Sequence, residues 1–237
     1  MDIKQLDQSY IAPTYARFPL NLVSGSGSLV RDDEGREYID LGTGIAVNTF
    51  GLCDEIWVQA VTAQLHTMQH ASNLYYTGPC AQLAQMLCEK TGMSKVFFSN
   101  SGAEANECLI KAARKWAAQH KGPEYNTIIT LKNSFHGRTI TTLAATGQDV
   151  FHQDFLPLTE GFAYAEANNI TDLTEKIKTH KCAGILFECV QGEGGVVPLS
   201  QAFVQAMAQL ARQEDILLLC DEVQTGNGRT GKLYSYM

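Results

Sequence analysis

The chain has 237 residues, of which 45% are hydrophobic and 18% charged, so it can hold one sizeable globular domain or one domain and part of another. Its formal net charge of −7 argues against nucleic acid as a partner, because nucleic acid binding needs a basic surface. The first residues lack the apolar core of a signal peptide, and no segment approaches membrane-spanning length, so we expect a cytoplasmic protein with no membrane partner.

The seven cysteines are scattered along the chain and show neither a CxxC pair nor the spacing of a zinc site. Most of them fall inside apolar or helical patterns. We therefore predict that they are reduced, small core residues, and we predict no metal site.

The N-terminal part is predicted to be an arm followed by a hairpin. Residues 28–41 alternate between apolar and polar and break at Asp33-Glu34-Gly35, a pattern typical of a β-hairpin. We expect residues 1–50 to form this arm and hairpin segment, and residues 51–237 to form a larger domain.

The larger domain opens with two predicted helices. Apolar residues recur at helical spacing over 55–68, and a second helix over about 80–90 ends at Gly92. From residue 95 onward, strands and helices alternate: strands at 95–98, 127–131, 183–187 and 216–220, and helices at 103–119, 171–180 and 201–212. This alternation predicts an α/β fold, a mostly parallel sheet with helices on both faces.

The last strand organises the candidate site. Ile216 to Cys220 is an unbroken apolar run, typical of a strand buried on both faces, and it ends in Asp221 and Glu222. In open parallel sheets ligands bind outside the carboxyl ends of the strands, so an acid at this point faces a site. Taken alone, Asp221 could equally cap the next turn.

A second strand end carries Ser99-Asn100-Ser101-Gly102-Ala103-Glu104, directly before a helix. Ser101 is a good N-cap, and the free amides of Gly102 and Ala103 at the positive helix end suit an anion, most often a phosphate. The alternative is an ordinary helix cap. The segment is neither a Walker loop nor a dinucleotide fingerprint.

Two further strand ends add other groups. Phe135, His136 and Arg138 follow the strand at 127–131 and combine flat rings with a guanidinium that can bind a carboxylate. A surface loop is the alternative there. After the strand at 183–187 come Glu188 and the glycine-rich loop that contains Glu193.

Together the four strand ends describe a site for a flat, phosphorylated ring that contains a nitrogen. A carboxylate facing a pyridine nitrogen keeps it protonated, because the ion pair stabilises the charged form of both partners. Protonation makes such a ring an electron sink, which is the chemistry of pyridoxal phosphate.

The chain resembles the class III, fold-type-I pyridoxal-phosphate aminotransferases over nearly its whole length, from about Tyr10 to Tyr234. The most specific matching segments are Phe97–Glu107, Phe135–Thr139, Gln191–Gly195 and Asp221–Gly226. The resemblance implies the fold-type-I large domain, here incomplete, and a homodimer.

The resemblance also implies roles for individual residues at the cofactor. The amides of Gly102 and Ala103, after Ser101, would bind its phosphate, and Phe135 and His136 would stack beside its ring. In the segment Asp221-Glu222-Val223-Gln224, Asp221 would pair with the pyridine nitrogen and Gln224 would reach the phenolic oxygen.

For substrates, the resemblance implies that Arg138 holds the α-carboxylate and that Glu193 neighbours the substrate side chain. The implied reaction transfers an amino group from N2-acetylornithine to 2-oxoglutarate, as in arginine biosynthesis. Ornithine, succinylornithine and 4-aminobutyrate are alternative donors. A truncated, non-catalytic protein that binds a cofactor or a partner is an alternative of another class.

Two departures from the family pattern are minor: Gly51-Leu52-Cys53-Asp54-Glu55 stands where the family commonly has Gly-His-x-His-Pro, and Cys189 stands where proline is frequent. The third departure is serious. The family's Schiff-base lysine belongs to a segment beyond the Thr225–Gly231 loop, past Met237, and Lys232 does not occupy that position. We therefore expect the 237 residues alone to be inactive.

Overall fold

The computed structural model describes residues 2–237 and divides into two compact units, Met1–Ala81 and Gln82–Met237. This boundary lies later than the sequence-based division after residue 50. The reason is that the segment after residue 50 joins the hairpin: Gly27 and Leu52 exchange two backbone hydrogen bonds of 2.8 Å each.

The first unit contains a three-stranded antiparallel sheet, in the order β1-β2-β3. The predicted hairpin at 28–41 is confirmed, and a preceding strand that the sequence reading missed pairs with it. Its elements are α1 (Ile3–Tyr10), β1 (Leu22–Ser26), β2 (Leu29–Asp32), β3 (Glu37–Ile39), the left-handed turn α2 (Thr43–Ala46) and α3 (Glu55–Thr67). The next helix, α4 (Gly78–Thr91), ends before Gly92 as predicted.

The second unit is built on four parallel strands in the order β5-β4-β6-β9. Its elements are α5 (Gly102–His120), β4 (Thr127–Leu131), α6 (Ile140–Ala145), the 3-10 turn Asp149–Phe151, β5 (Phe162–Ala165), α7 (Ile170–Thr179), β6 (Cys182–Phe187), the short pair β7 (Val190–Gln191) and β8 (Val197–Pro198), α8 (Gln201–Gln213) and β9 (Leu217–Cys220).

Helices cover both faces of this sheet, which confirms the predicted α/β class. On one face Leu173 of α7 and Met207 of α8 pack against Ile129 and Ile185 of the sheet. On the other face Ile110 of α5 packs against strand residues that include Leu186. Because the four strands run parallel, their carboxyl ends all lie at one common edge, where the candidate site lies.

Three sequence-based predictions about secondary structure were wrong or incomplete. Residues 95–98 form no strand, because no neighbouring strand of the described residues pairs with them, and Phe97 stays 66% exposed. The last strand is not buried on both faces: β9 is the edge of the sheet, and Leu218 is 40% exposed. Both β5 and α6 were missed.

The cysteines are all free, as predicted, but not all of them are core residues. Cys182 is buried, whereas Cys53 and Cys80 are exposed. Among the described residues, no helix combines the length and the apolar character needed to cross a membrane.

The central strand β6 allows a graded test of this core. Ile185 is fully buried between α-helical and strand neighbours, so Ile185→Ala should lower the free energy of unfolding by about 2–5 kcal/mol and Ile185→Val by about 0.5–1.5 kcal/mol. Denaturant titration measures both. The exposed Gln209→Ala on α8 should stay within about 0.5 kcal/mol, and an equal loss in all three variants would contradict the assigned core.

Candidate active site

The N-terminus of α5 forms one wall of the candidate site. The Ser101 hydroxyl caps the helix by accepting a hydrogen bond from the Glu104 amide at 3.2 Å. The amides of Gly102 and Ala103 have no acceptor among the described residues, as expected for the first turn of a helix. These two free donors and the positive end of a 19-residue helix suit an anion.

Two glycines bring the predicted segments together. A β-carbon on Gly102 would lie 2.7 Å from the Val223 side chain, so the start of α5 touches the segment after β9. A β-carbon on Gly137 would lie 2.8 Å from that of Ala103, and Gly137 also has a φ of +130°, which disfavours any side chain. The start of α5, the loop after β4 and the segment after β9 are therefore in contact with one another.

Asp221 is the buried centre of this place. Its Oδ2 accepts hydrogen bonds from Asn106 Nδ2 at 2.7 Å and from His136 Nδ1 at 2.8 Å, and its Oδ1 accepts one from the Val223 amide at 3.0 Å. Burial by itself raises the pKa of this carboxyl, but these hydrogen bonds and the neighbouring His136 ring lower its pKa below the usual value. Asp221 is thus an ionised carboxylate in a nearly water-free position.

His136 lies beside this carboxylate. The side chain is buried, its Nδ1 bonds Asp221, and its Nε2 has no hydrogen-bond partner within residues 2–237. The aromatic surface at this edge is instead Phe135, which is half-buried and meets Phe151 edge to face, with ring centroids 5.9 Å apart. Stacking of Phe135 and His136 beside the cofactor stays a prediction.

A second buried carboxylate, Glu188, ties two loops together. Its Oε2 accepts a hydrogen bond from the Phe135 amide at 3.0 Å, and its Oε1 accepts one from the Gly192 amide at 3.3 Å. Burial raises the pKa of Glu188, although His136 and the two amides oppose that shift. The aromatic segment and the glycine-rich loop are consequently held to the end of β6 by a single side chain.

Arg138 is exposed and stands over two aromatic rings. Its Cζ is 4.9 Å from the centroid of Phe151 and 5.9 Å from that of Phe135. It also lines a cavity of about 200 Å³ together with Asp154 and with apolar residues that include Ile140 and Leu143. No carboxylate of the described residues pairs with it, so its guanidinium fork is free for an anionic ligand.

Of the remaining predicted residues, Gln224 and Glu193 contact other loops, whereas Glu222 is bonded within its own loop. Gln224 lies against Gly192, where a β-carbon would be 3.3 Å from its side chain, and Glu193 is exposed and accepts a hydrogen bond from Gln148 Nε2 at 3.0 Å. Glu222 turns into its own loop: its carboxylate accepts hydrogen bonds from the Thr225 hydroxyl and the Tyr236 amide. Its side chain therefore belongs to the loop and not to the Asp221 cluster.

The sequence reading missed Asn106 as a functional residue. Its side chain is buried and donates to the His136 carbonyl at 2.9 Å as well as to Asp221. A usable signal existed, because an asparagine among the apolar positions of α5 must find partners when it is buried.

Comparison with known proteins agrees with this architecture. The family model "Aminotransferase class-III" matches residues 10–237. The chain belongs to the class-III aminotransferase family.

Individual relatives of this chain carry names with different amino donors. The acetylornithine aminotransferase of Haemophilus ducreyi is 53% identical over 234 residues, which are 99% of this chain and 60% of the relative. The succinylornithine transaminase of Salmonella paratyphi A is 43% identical over 228 residues, 96% of this chain and 56% of the relative. The chain thus spans about three fifths of the length of these relatives.

A solved structure adds a match in three dimensions. The ornithine aminotransferase of Toxoplasma gondii, crystallised in the presence of oxidised glutathione with partial occupancy of PLP at its active site, superposes with a TM-score of 0.93. The sequences are 30% identical, and the match covers 98% of this chain and 55% of that one. The chain therefore shares the fold of the matching part of that aminotransferase.

The contact between Asn106 and Asp221 can be tested by truncation. We expect Asn106→Ala to lower the free energy of unfolding by about 1.5–3 kcal/mol, because a buried ionised acceptor loses a donor. Thermal and denaturant unfolding measure the loss. Gln119→Ala on the exposed face of the same helix is the control, and equal stability of the two variants would argue against the contact.

Proposed function

We propose that the protein binds pyridoxal 5'-phosphate and transfers an amino group from an ω-amino donor, N2-acetylornithine, to 2-oxoglutarate. The observation that carries this proposal is the buried Asp221 carboxylate, held ionised by His136 and by Asn106 of α5, the helix whose first turn offers free amides. The relationship to acetylornithine aminotransferases, and thereby to arginine biosynthesis, supports the choice of donor.

The residues fit the proposed cofactor at both ends. The free amides of Gly102 and Ala103, at the end of α5 that Ser101 caps, would hold the phosphate. At the other end, an ionised carboxylate that is shielded from water would keep a pyridine nitrogen protonated. When bound, the protonated ring supplies an electron sink for the carbanion that transamination requires.

Side chains of the protein would position the cofactor ring. His136 and Asn106 both donate to Asp221 Oδ2 and hold the carboxylate in place, so it would stabilise a protonated ring nitrogen without needing to reorganise. Phe135 would pack on one side of the ring and Val223 on the other, with Gln224 near the phenolic oxygen. We assign Glu222 to this segment through its backbone, since its carboxylate is engaged by its own loop.

We assign substrate binding to Arg138 and Glu193. Arg138 offers a planar fork that matches a carboxylate, and its stacking over Phe151 restricts the orientation of that fork. Glu193 would face the distal end of the substrate. We propose that residues 1–237 supply the cofactor cradle, since Lys232 does not stand at the position of the family's Schiff-base lysine.

We further propose a homodimer in the cytoplasm. Helix α3 exposes Ile56 at 80% and Trp57 at 58%, an apolar surface that a second copy would cover. Seven free cysteines agree with a reducing compartment. Light scattering of the purified protein tests the dimer.

The test of the function is turnover by the protein purified as its source encodes it. We expect a pyridoxal absorbance band and 2-oxoglutarate-dependent activity with N2-acetylornithine above that with ornithine, succinylornithine or 4-aminobutyrate. Asp221→Asn keeps the shape but removes the charge, and it should lower kcat by on the order of 100-fold or more. A protein that binds pyridoxal phosphate without turnover would instead favour the non-catalytic alternative.

Arg138 gives a separate prediction about substrate affinity. Arg138→Ala should raise KM for the amino donor and for 2-oxoglutarate by roughly 10- to 100-fold, because a charge-assisted bond is worth about 1.5–3 kcal/mol. Arg138→Lys keeps the charge but loses the planar fork, so its KM should lie between those of the unsubstituted protein and of Arg138→Ala. Steady-state kinetics measure the effect, with the exposed Arg212→Ala as control. An unchanged KM in Arg138→Ala would remove this residue from the site.

A further inference from the structure

Three side chains of types that can bind a metal lie close together, and two of them flank Asp221 in the sequence. Cys189 follows β6, Cys220 ends β9, and Glu222 comes two residues later. The two sulfur atoms are 3.6 Å apart, and Cys220 Sγ is 3.8 Å from Glu222 Oε1. The three potential ligand atoms all lie within 4.8 Å of one another, and all three side chains are half-buried.

These distances match a tetrahedral metal site better than a disulfide. Zinc–sulfur bonds of about 2.3 Å put two thiolates on one tetrahedral ion at a separation of roughly 3.7 Å. A disulfide needs about 2.05 Å, so the two sulfurs, which are free, would have to approach by roughly 1.5 Å. The thiols therefore already stand where a zinc-sized ion would hold them.

The surrounding structure holds the ligands in these positions. Thr225 donates its hydroxyl hydrogen to one oxygen of Glu222, and the Tyr236 amide donates to the other at 3.0 Å. The carbonyl of Cys189 accepts a hydrogen bond from the Leu199 amide at 3.0 Å. Hydrogen bonds of this kind orient carboxylate and thiolate ligands in known metal sites.

We propose that Cys189, Cys220 and Glu222 form a binding site for a zinc-like divalent cation, with solvent as the fourth ligand. One cation replaces the two thiol protons, which leave to solvent, so binding weakens at low pH. Two thiolates and one carboxylate suit zinc and exclude magnesium and calcium, which prefer oxygen ligands. The site would link the ends of β6 and β9, and it does not depend on aminotransferase activity.

The sequence shows no zinc spacing because Cys189 and Cys220 lie 31 residues apart on neighbouring strand ends.

Cobalt is a direct probe, since thiolate-bound tetrahedral Co²⁺ has charge-transfer and d–d absorption. The protein, purified as its source encodes it, is stripped with chelator, kept reduced with a phosphine and titrated with Co²⁺ and then Zn²⁺. We expect these bands to appear at one equivalent and to be displaced by Zn²⁺. Cys189→Ser and Cys220→Ser should each weaken binding at least about 100-fold, and Glu222→Gln at least about 10-fold.

Cys108→Ser is the matched control, because Cys108 is also half-buried but lies on α5 away from this cluster, and it should bind Co²⁺ normally. Alkylation of the unsubstituted protein avoids any folding defect of the variants. There Zn²⁺ should protect Cys189 and Cys220 from iodoacetamide but leave the exposed Cys80 reactive, as read by peptide mass spectrometry. Absence of the cobalt bands, or equal labelling with and without Zn²⁺, overturns the proposal.

Discussion

The candidate site depends on one buried charge. The Asp221 carboxylate lies at the end of the edge strand β9, and burying it is favourable only because Asn106, His136 and the Val223 amide donate hydrogen bonds to it. Asn106 belongs to α5 and His136 to the loop after β4. The carboxylate therefore links the helix that offers free amides to the loop that offers an aromatic ring and a guanidinium.

Close backbone approach makes this convergence possible. Gly102 touches Val223, and Gly137 touches Ala103, at distances that no larger residue would tolerate without displacement. Glu188 adds a second buried carboxylate that holds the Phe135 amide and the Gly192 amide at the same edge. Two carboxylates and a few glycines thus hold together loops that would otherwise be independent of one another. A site that orients a flat cofactor needs its groups held in place in this way.

Consecutive residues at the end of β9 contact two different parts of the structure. Asp221 contacts Asn106 of α5, whereas the preceding Cys220 contacts Cys189 beyond the end of β6. This follows from strand geometry, because successive side chains point to opposite faces of a sheet. A cation bound by Cys220 would consequently act on the backbone that carries Asp221 without occupying the cofactor cradle.

The sequence by itself determined the alternation of strands and helices and the residues that follow each strand, because hydrophobic period and capping residues are local properties. It predicted Ser101, Gly102, Phe135 and Asp221 as members of one site. Only the tertiary structure decided which partners they have. Asn106 meets Asp221 across 115 residues, Cys189 meets Cys220 across 31, and residues 95–98 stay unpaired, because these outcomes depend on which segments become neighbours in space.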